Sequence, residues 1–349
     1  MISKKIAIIG DMHLGVRKSN AIFRDYQKKS ILEILDYCDA HGIKSIIQTG
    51  DMFDVRKETN TLTIQLFHWF LDQIKNRGMF LYTIPGNHDI YYREEIQPNT
   101  PEILLSYISE DYSSCFKVIC EPEDISINGY NFFMVPWVCK GNFDKVNLAK
   151  SQSSSKYCLG HFEFDGFEMH KGQPAKTHFT HKDYSKFDLV ISGHFHHWSK
   201  KDNVHYTGTP YQLTWMDYND DKGFWVFDNG DMEFVKNRNT IFNKIEYSDG
   251  FLPDKEEVNG KFIQLIVRDR IVKKEFESYK NALALLEPLE VKIKETIQEE
   301  LSEEVIVNYS TMSTEEILRE YIEGCQIQLD TDKMLRVLLE LHSEALNNE

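Results

Sequence analysis

A chain of 349 residues that is 41% hydrophobic can bury one large core and still support smaller appended domains. Its formal net charge of −15 excludes a protein that grips nucleic acid through its overall field, so a polyanionic substrate must meet a local basic patch, a metal centre or a partner. The six cysteines form no CxxC pair and read as reduced thiols, and no apolar run approaches a signal-peptide core or a membrane span, which predicts a cytoplasmic protein.

In chain order, the first apolar run, residues 6–9, ends in Gly10-Asp11-Met12-His13-Leu14-Gly15. A helix over 24–39 follows, with Ile31, Ile34, Leu35 and Cys38 at helical spacing. Residues 45–49 end in Gly50-Asp51-Met52-Phe53. The helix predicted over 61–75 carries Leu62, Leu66, Phe67, Phe70 and Ile74, with Trp69 adding an aromatic ring, so both of its faces are apolar. Core packing accounts for one face, and a second copy of the chain is a use for the other. Residues 80–84 run into Gly86-Asn87-His88-Asp89, 157–159 into Gly160-His161-Phe162-Glu163, and 189–192 into Gly193-His194-Phe195-His196.

Each of these runs is short and rich in β-branched or large apolar residues, the pattern of a buried strand, and each ends in a glycine that permits a tight turn. Strands alternating with helices predict an α/β fold, in which carboxyl ends of strands line one crevice and gather residues from distant parts of the chain. Further on, 223–227 and 232–236 flank Asn229-Gly230, a hairpin signal, and the first domain is expected to end near 238. From 240 to 309 a strand (262–267), a helix (274–286) and a strand (289–293) predict a small α+β module. Over 313–346 a capping box of Ser313 with Glu316 opens one helix, and Asp330 or Asp332 opens a second, rich in leucine. Two such helices cannot bury both apolar faces alone.

The strand-end residues have the chemistry of a metal centre. Asp11, His13 and Asp51 supply carboxylate and imidazole, with Asp51 able to bridge two cations; Asn87 offers an amide oxygen, and His161, His194 and His196 offer ring nitrogens. Divided between two ions about 3.5–4 Å apart, they predict a dinuclear site that orients hydroxide for in-line attack on phosphorus. Mixed nitrogen and oxygen ligation favours Mn, Fe or Zn over Mg or Ca. His88 is left over as a general acid or electrostatic stabiliser near the leaving oxygen, with Asp89 a candidate to orient its ring. Arg56, Lys57 and Arg93 follow ligand loops and are candidates to meet phosphates; Arg17, Lys18, Arg24, Lys28 and Lys29 read as a solvated face. His170, His178, His181, His197 and His205 lack the strand-end context.

These motifs, D-x-H, G-D, G-N-H-D, H and G-H-x-H in order over residues 1 to about 210, resemble the calcineurin-like metallophosphoesterase superfamily. The resemblance implies a layered sandwich of two mixed sheets flanked by helices. It implies that Asp11, His13, Asp51 and His196 hold one ion, that Asp51, Asn87, His161 and His194 hold the other, and that His88 is catalytic. Gly50-Asp51-Met52-Phe53-Asp54, Pro85-Gly86-Asn87-His88-Asp89 and Tyr206-Thr207-Gly208-Thr209-Pro210 are similar to SbcD-type nuclease subunits, and the compact size to the recombination endonuclease subunit of tailed phages. Protein phosphatases of the superfamily carry Arg before G-N-H and Asp-Arg-Gly after the second motif, where this chain has Pro85 and Asp54-Val55-Arg56. The resemblance therefore implies a Mn2+-dependent DNA exonuclease and endonuclease, dimeric through helices. It further implies a DNA-capping domain over 240–309 and a helix-loop-helix over 313–346 that binds the coiled coil of an SMC-like ATPase. A phage-encoded chain would work in the host cytoplasm. The rival readings are a phosphoesterase acting on nucleotides or phosphoproteins, and a non-catalytic assembly subunit.

Overall fold

The computed structural model describes residues 3–295 apart from 171, 178, 249–250 and 269–272. The helices expected over 313–346 lie outside the described residues. In chain order the elements are β1 (Ile6–Ile9), α1 (Ala21–Ala40), β2 (Ser45–Gln48), α2 (Thr61–Asn76), β3 (Phe80–Thr83), α3 (Thr100–Tyr112), β4 (Phe116–Val118), β5 (Glu123–Ile127), β6 (Tyr130–Val135), α4 (Phe143–Gln152) and β7 (Tyr157–His161). A small hairpin of β8 (Glu168–His170) and β9 (Gln173–Pro174) precedes β10 (Leu189–Gly193), β11 (Ser199–Lys201), β12 (Val204–Tyr206), β13 (Gly223–Asp228) and β14 (Asp231–Lys236). The chain continues through β15 (Phe242–Glu246), α5 (Lys255–Val258), β16 (Phe262–Val267), α6 (Lys273–Ala284) and β17 (Glu290–Glu295).

Two six-stranded mixed sheets, ordered β14-β13-β1-β2-β3-β4 and β11-β12-β10-β7-β6-β5, pack face to face. Period-two alternation explains the layers: Ile6 and Ile8 of β1 meet Phe132, Met134, Leu159 and Ile191 of the second sheet, whereas Ala7 and Ile9 face the helical layer with Ile31, Ile34, Phe67 and Phe70. The outer face of the second sheet is covered by Val146 of α4 and an aromatic cluster that includes Phe162, Phe164, Tyr184 and Phe187. Both faces of each central strand are therefore buried, as near-continuous apolar runs require. The hairpin signal is realised: β13 and β14 pair antiparallel around Asn229 (φ 52°) and Gly230 (φ 98°), the positive pair that a type I′ turn demands.

The helix predicted from residue 24 begins at Ala21, because the side chain of Asn20 accepts the Phe23 N–H at 2.9 Å and caps it. In the later module the expected strand-helix-strand is present, joined by β15, a strand without a clear sequence signal. Together β15, β16 and β17 form an all-parallel sheet covered by Phe276, Tyr279 and Leu283 of α6. Phe262 stacks on Phe23 of α1 with ring centres 5.9 Å apart, which ties this sheet to the helical layer. Among the described residues no helix is long and apolar enough to cross a membrane.

Candidate metal centre

The sandwich brings the carboxyl ends of β1, β2, β3, β7 and β10 to one edge, and the chain turns sharply there. His13 (φ 44°), Asp51 (φ 52°) and His194 (φ 87°) hold positive φ, a conformation that costs a non-glycine residue of order 1–3 kcal/mol and persists only where neighbours over-determine it. They do so reciprocally. The N–H groups of Met12 and His13 both donate to the Asp51 carbonyl at 3.0 Å, His194 N–H donates to the Asp11 carboxylate at 2.9 Å, and His88 N–H donates to Asp51 Oδ1 at 2.7 Å. Glycine is obligatory at 86, where a Cβ would fall on the amide nitrogen and Oδ1 of Asp51, and at 193, where it would stand 2.5 Å from Asp11 Oδ1.

Two donor groups result. Asp11, His13 and His196 present atoms within 4.8 Å of one another, as do Asp51, His161 and His194. Asp51 lies between them, its Oδ2 3.4 Å from His161 Nε2 and 3.9 Å from His13 Nε2. Asn87 Oδ1 joins the second group, 3.0 Å from His161 Nε2 and 2.9 Å from His194 Nδ1. All seven sequence-predicted metal ligands are thus gathered in one place, and the donor set fits cations. His161 Nδ1 is committed as a donor to the Thr49 carbonyl at 2.8 Å, so Nε2 is the atom turned toward the oxygens of Asp51 and Asn87. His13 Nε2 and His196 Nε2 stand 3.1 Å apart, a spacing of two ring nitrogens that needs a proton or a cation between them. Asp11 and Asp51 are buried, which is costly for carboxylates unless positive charge sits beside them.

In the metal-free protein, protons take that role. Burial disfavours the charged imidazoles, but the neighbouring carboxylates outweigh it: Asp54, Asp51 and Asp11 raise His13 to about 9, and Asp51 and Asp11 raise His161 to about 9. Burial pushes Asp11 up to about 7 against the pull of His161. Burial also acts to raise Asp51, yet the charges of His161, His88 and His13 hold it well below the usual carboxylate range. A divalent cation must displace these protons, so Mn2+ affinity is expected to rise with pH from 7 to 9, by about tenfold per pH unit for each proton released. Calorimetry in buffers of different ionisation enthalpy counts the protons; a flat profile would contradict the ligand assignment. The linkage has the opposite sign without metal. Raised imidazoles stabilise the metal-free fold fully below their ordinary 6.5, and that contribution is lost as pH rises through 9.

His88, half-buried beside the centre, presents its ring edge-on to His13 at 4.9 Å. Its Nδ1 donates to the Asp54 carbonyl at 2.7 Å, which leaves Nε2 for a reacting group. Here the structure corrects the sequence reading. Asp89 does not orient the His88 ring; its buried carboxylate accepts the N–H groups of Met52 (3.2 Å), Phe53 (3.0 Å) and Gly86 (2.8 Å) and so pins the second loop to the third. Adjacent residues in a turn point apart, and three backbone donors outcompete one ring. Arg56 also acts on the backbone, its Nε donating to the Asn87 carbonyl at 2.8 Å, while Lys57 is exposed and Arg93 lines a cavity beside the centre.

Several supporting residues escaped the sequence reading. Asp54 lies 3.5 Å from His13 Nδ1, and its signal was present as the acid closing Gly50-Asp51-Met52-Phe53-Asp54. Buried Gln27 of α1 donates to the carbonyls of Met12 (3.2 Å) and His13 (3.0 Å), and Trp137 packs 5.1 Å from the His194 ring; neither has a local signature. His197 joins Asp220 at 2.8 Å, and Asp220 in turn pairs with Lys222. The His178 position and the His170 side chain lie outside the described residues.

Lys222 is 5% exposed and spends its ammonium on the His196 carbonyl (2.7 Å), Asp220 (2.8 Å) and Asp217 (2.9 Å). It therefore props the last ligand loop from beneath. Lys222→Met removes the buried cation shared by Asp217 and Asp220, leaving Asp220 with His197 and Asp217 with the Leu213 and Thr214 N–H groups, and is expected to cost about 3–5 kcal/mol of stability, read by urea denaturation. A loss below about 1 kcal/mol would show that the pair of acids finds other partners.

A family model for calcineurin-like phosphoesterases matches residues 4–198, and the chain belongs to that family. Along nearly its whole length it is similar to "Exonuclease subunit 1" of Enterobacteria phage T4, at 32% identity over 350 residues covering 98% of this chain and 99% of that relative. It is also similar to "DNA double-strand break repair protein Mre11" of Nanoarchaeum equitans, 23% identical over 245 residues covering 64% of this chain and 66% of the relative. A shorter likeness, 31% identity over 90 residues, reaches the protein of the same description from Sulfurisphaera tokodaii, covering 26% of this chain and 23% of that one.

Proposed function

We propose that this chain is a metal-dependent DNA nuclease, hydrolysing phosphodiester bonds at ends and within strands and working with an SMC-like ATPase in end processing, recombination and repair. The observation that carries the chemistry is the pair of donor groups meeting at Asp51 with His88 beside them. Asp11, His13, Asp51 and His196 would hold one divalent ion, and Asp51, Asn87, His161 and His194 the other, Mn2+ being one of the cations, with Fe and Zn, that this mixed donor set suits. Such ions, when bound, polarise a phosphoryl group and acidify water. The protein fixes their positions through the latched loops, and His88 Nε2, oriented by the Asp54 carbonyl, holds a proton at the leaving oxygen.

The step from phosphoester to DNA is supported by what the relatives are, an exonuclease subunit and DNA double-strand break repair proteins, and by the order of segments. Residues 240–309 are assigned to capping the DNA and 313–346 to the ATPase. A homodimer is supported by exposed apolar side chains on two helices, Leu62 of α2 and Ile103 and Tyr107 of α3, while Trp69 packs against the core. Host cytoplasm is the expected location. The test is to incubate the full chain with Mn2+ and end-labelled single- and double-stranded DNA, with and without the ATPase. Shortened DNA supports the reading. Intact DNA alongside rapid hydrolysis of a phosphomonoester would transfer the function to nucleotides or phosphoproteins.

A further inference from the structure

A cavity of about 860 Å³ lies between α1 and the later module, and none of the metal-centre residues lines it; its walls include Tyr26 and Lys29 of α1, Arg238 in the strap between β14 and β15, and Lys261 just before β16. We propose that it binds a mononucleotide, with the phosphate against Lys29, Arg238 and Lys261 and the base and sugar against Ile22 and Leu289. The site stands apart from the nuclease reading, because it needs neither a metal ion nor a DNA strand.

Charge points to the phosphate. The chain has 55 acidic residues for 40 basic ones, and Lys255 on the same wall is neutralised by Glu287 at 2.8 Å, yet Lys29, Arg238 and Lys261 have no ion pair among the described residues. Burial holds the half-buried Lys261 ammonium below its ordinary value, and the Lys29 charge adds to this against the pull of Glu257 and Glu256. One dianion between the two ammonium groups relieves their repulsion. Asp25 and Glu256, which also line the cavity, set its limit: they repel a run of phosphates but accept from an exocyclic amine or a sugar hydroxyl. Ile22 and Leu289 are exposed in the walls, an apolar surface that inorganic phosphate leaves uncovered and a base covers. The walls are also set before anything binds. Tyr26 Oη donates to the Asn239 carbonyl at 3.2 Å and accepts the Gln212 N–H at 3.0 Å, while Gln212 Oε1 takes the N–H groups of Ile241 (2.9 Å) and Phe242 (3.0 Å). Across the cavity Gly260 N–H donates to the Glu287 carbonyl at 3.0 Å. Fixed walls spare the ordering that binding otherwise requires. Ile22, Asp25, Tyr26 and Lys29 recur at the spacing of one helix face, and Gln27, which holds the His13 carbonyl, projects from another.

Calorimetric titration of the full chain in EDTA, where no cation draws phosphate to the metal centre, tests the site. 5′-dAMP is expected to bind, and Lys29→Ala and Lys261→Gln each to weaken it by about tenfold, the loss of one hydrogen bond to a charged group. Neither lysine holds an ion pair, so both ligand-free variants should melt at the wild-type temperature. A phosphate held instead by the protonated histidines of the metal centre would bind both variants as tightly as the wild type. That result, no binding of dAMP, or deoxyadenosine binding as tightly as dAMP would overturn the site. Inorganic phosphate binding as tightly as dAMP would remove the base and sugar from it. A single-stranded oligonucleotide that bound more tightly than dAMP, and weakened in the same two variants, would give the cavity to a strand instead. Failure of the nuclease reading shows elsewhere, as intact DNA in the Mn2+ assay, and leaves these titrations unchanged.

Discussion

Asp51→Asn is expected to lower phosphodiester hydrolysis by about 10³-fold or more, with Mn2+ affinity falling in parallel. The carboxylate belongs to one donor group and faces the other, 3.4 Å from His161 and 3.9 Å from His13, and an amide keeps its outline but not its charge. The fold should tolerate the change, because the backbone carbonyl of Asp51, which latches Met12 and His13, is untouched. Calorimetric Mn2+ titration and steady-state cleavage of bis(p-nitrophenyl) phosphate check both halves. A variant that still bound two ions at wild-type affinity would remove Asp51 from the bridging role.

His88→Ala should separate the two halves. The imidazole belongs to neither donor group, and it is the His88 amide, not the ring, that donates to Asp51. Two Mn2+ ions should therefore bind as before while kcat falls by about 10²–10⁴-fold, the range for loss of a positioned proton donor. The discriminating measurement varies the leaving group. A nitrophenolate leaves without help, so the variant's deficit should shrink on nitrophenyl esters and remain large on DNA; an equal deficit on both would assign His88 to electrostatics instead of proton transfer.

The site was legible in the sequence to an unusual degree because its ligands sit at strand ends, where a two-residue spacing after glycine fixes both direction and reach. Asp11 and His13, which share a donor group, and His194 and His196, which fall in different ones, need no long-range information to be read as candidate ligands. What stayed hidden was whatever acts across the fold. Asp89 looked like a partner for its neighbour His88 and instead binds three backbone amides, two of them contributed by Met52 and Phe53. Gln27 and Lys222 reach ligand carbonyls from a helix and from a loop before β13, and a lone glutamine or lysine has no period to betray it. In the later module, the partly buried, polar-interrupted β15 gave no alternation, whereas β16 alternates cleanly and was found at its full length.

The two halves of the centre do not come from one sheet. Asp11, His13, Asp51, Asn87 and His88 follow strands of the first sheet, and His161, His194 and His196 lie at the ends of strands of the second. Each cation would then act as a rivet through both leaves of the sandwich, and the spacing of the metals would be a gauge of how the leaves close on Ile8, Phe132 and Ile191. A methylene removed from that distant layer would then be expected to reach the chemistry as a change in ligand distance, and loss of a cation at the edge to loosen the layer.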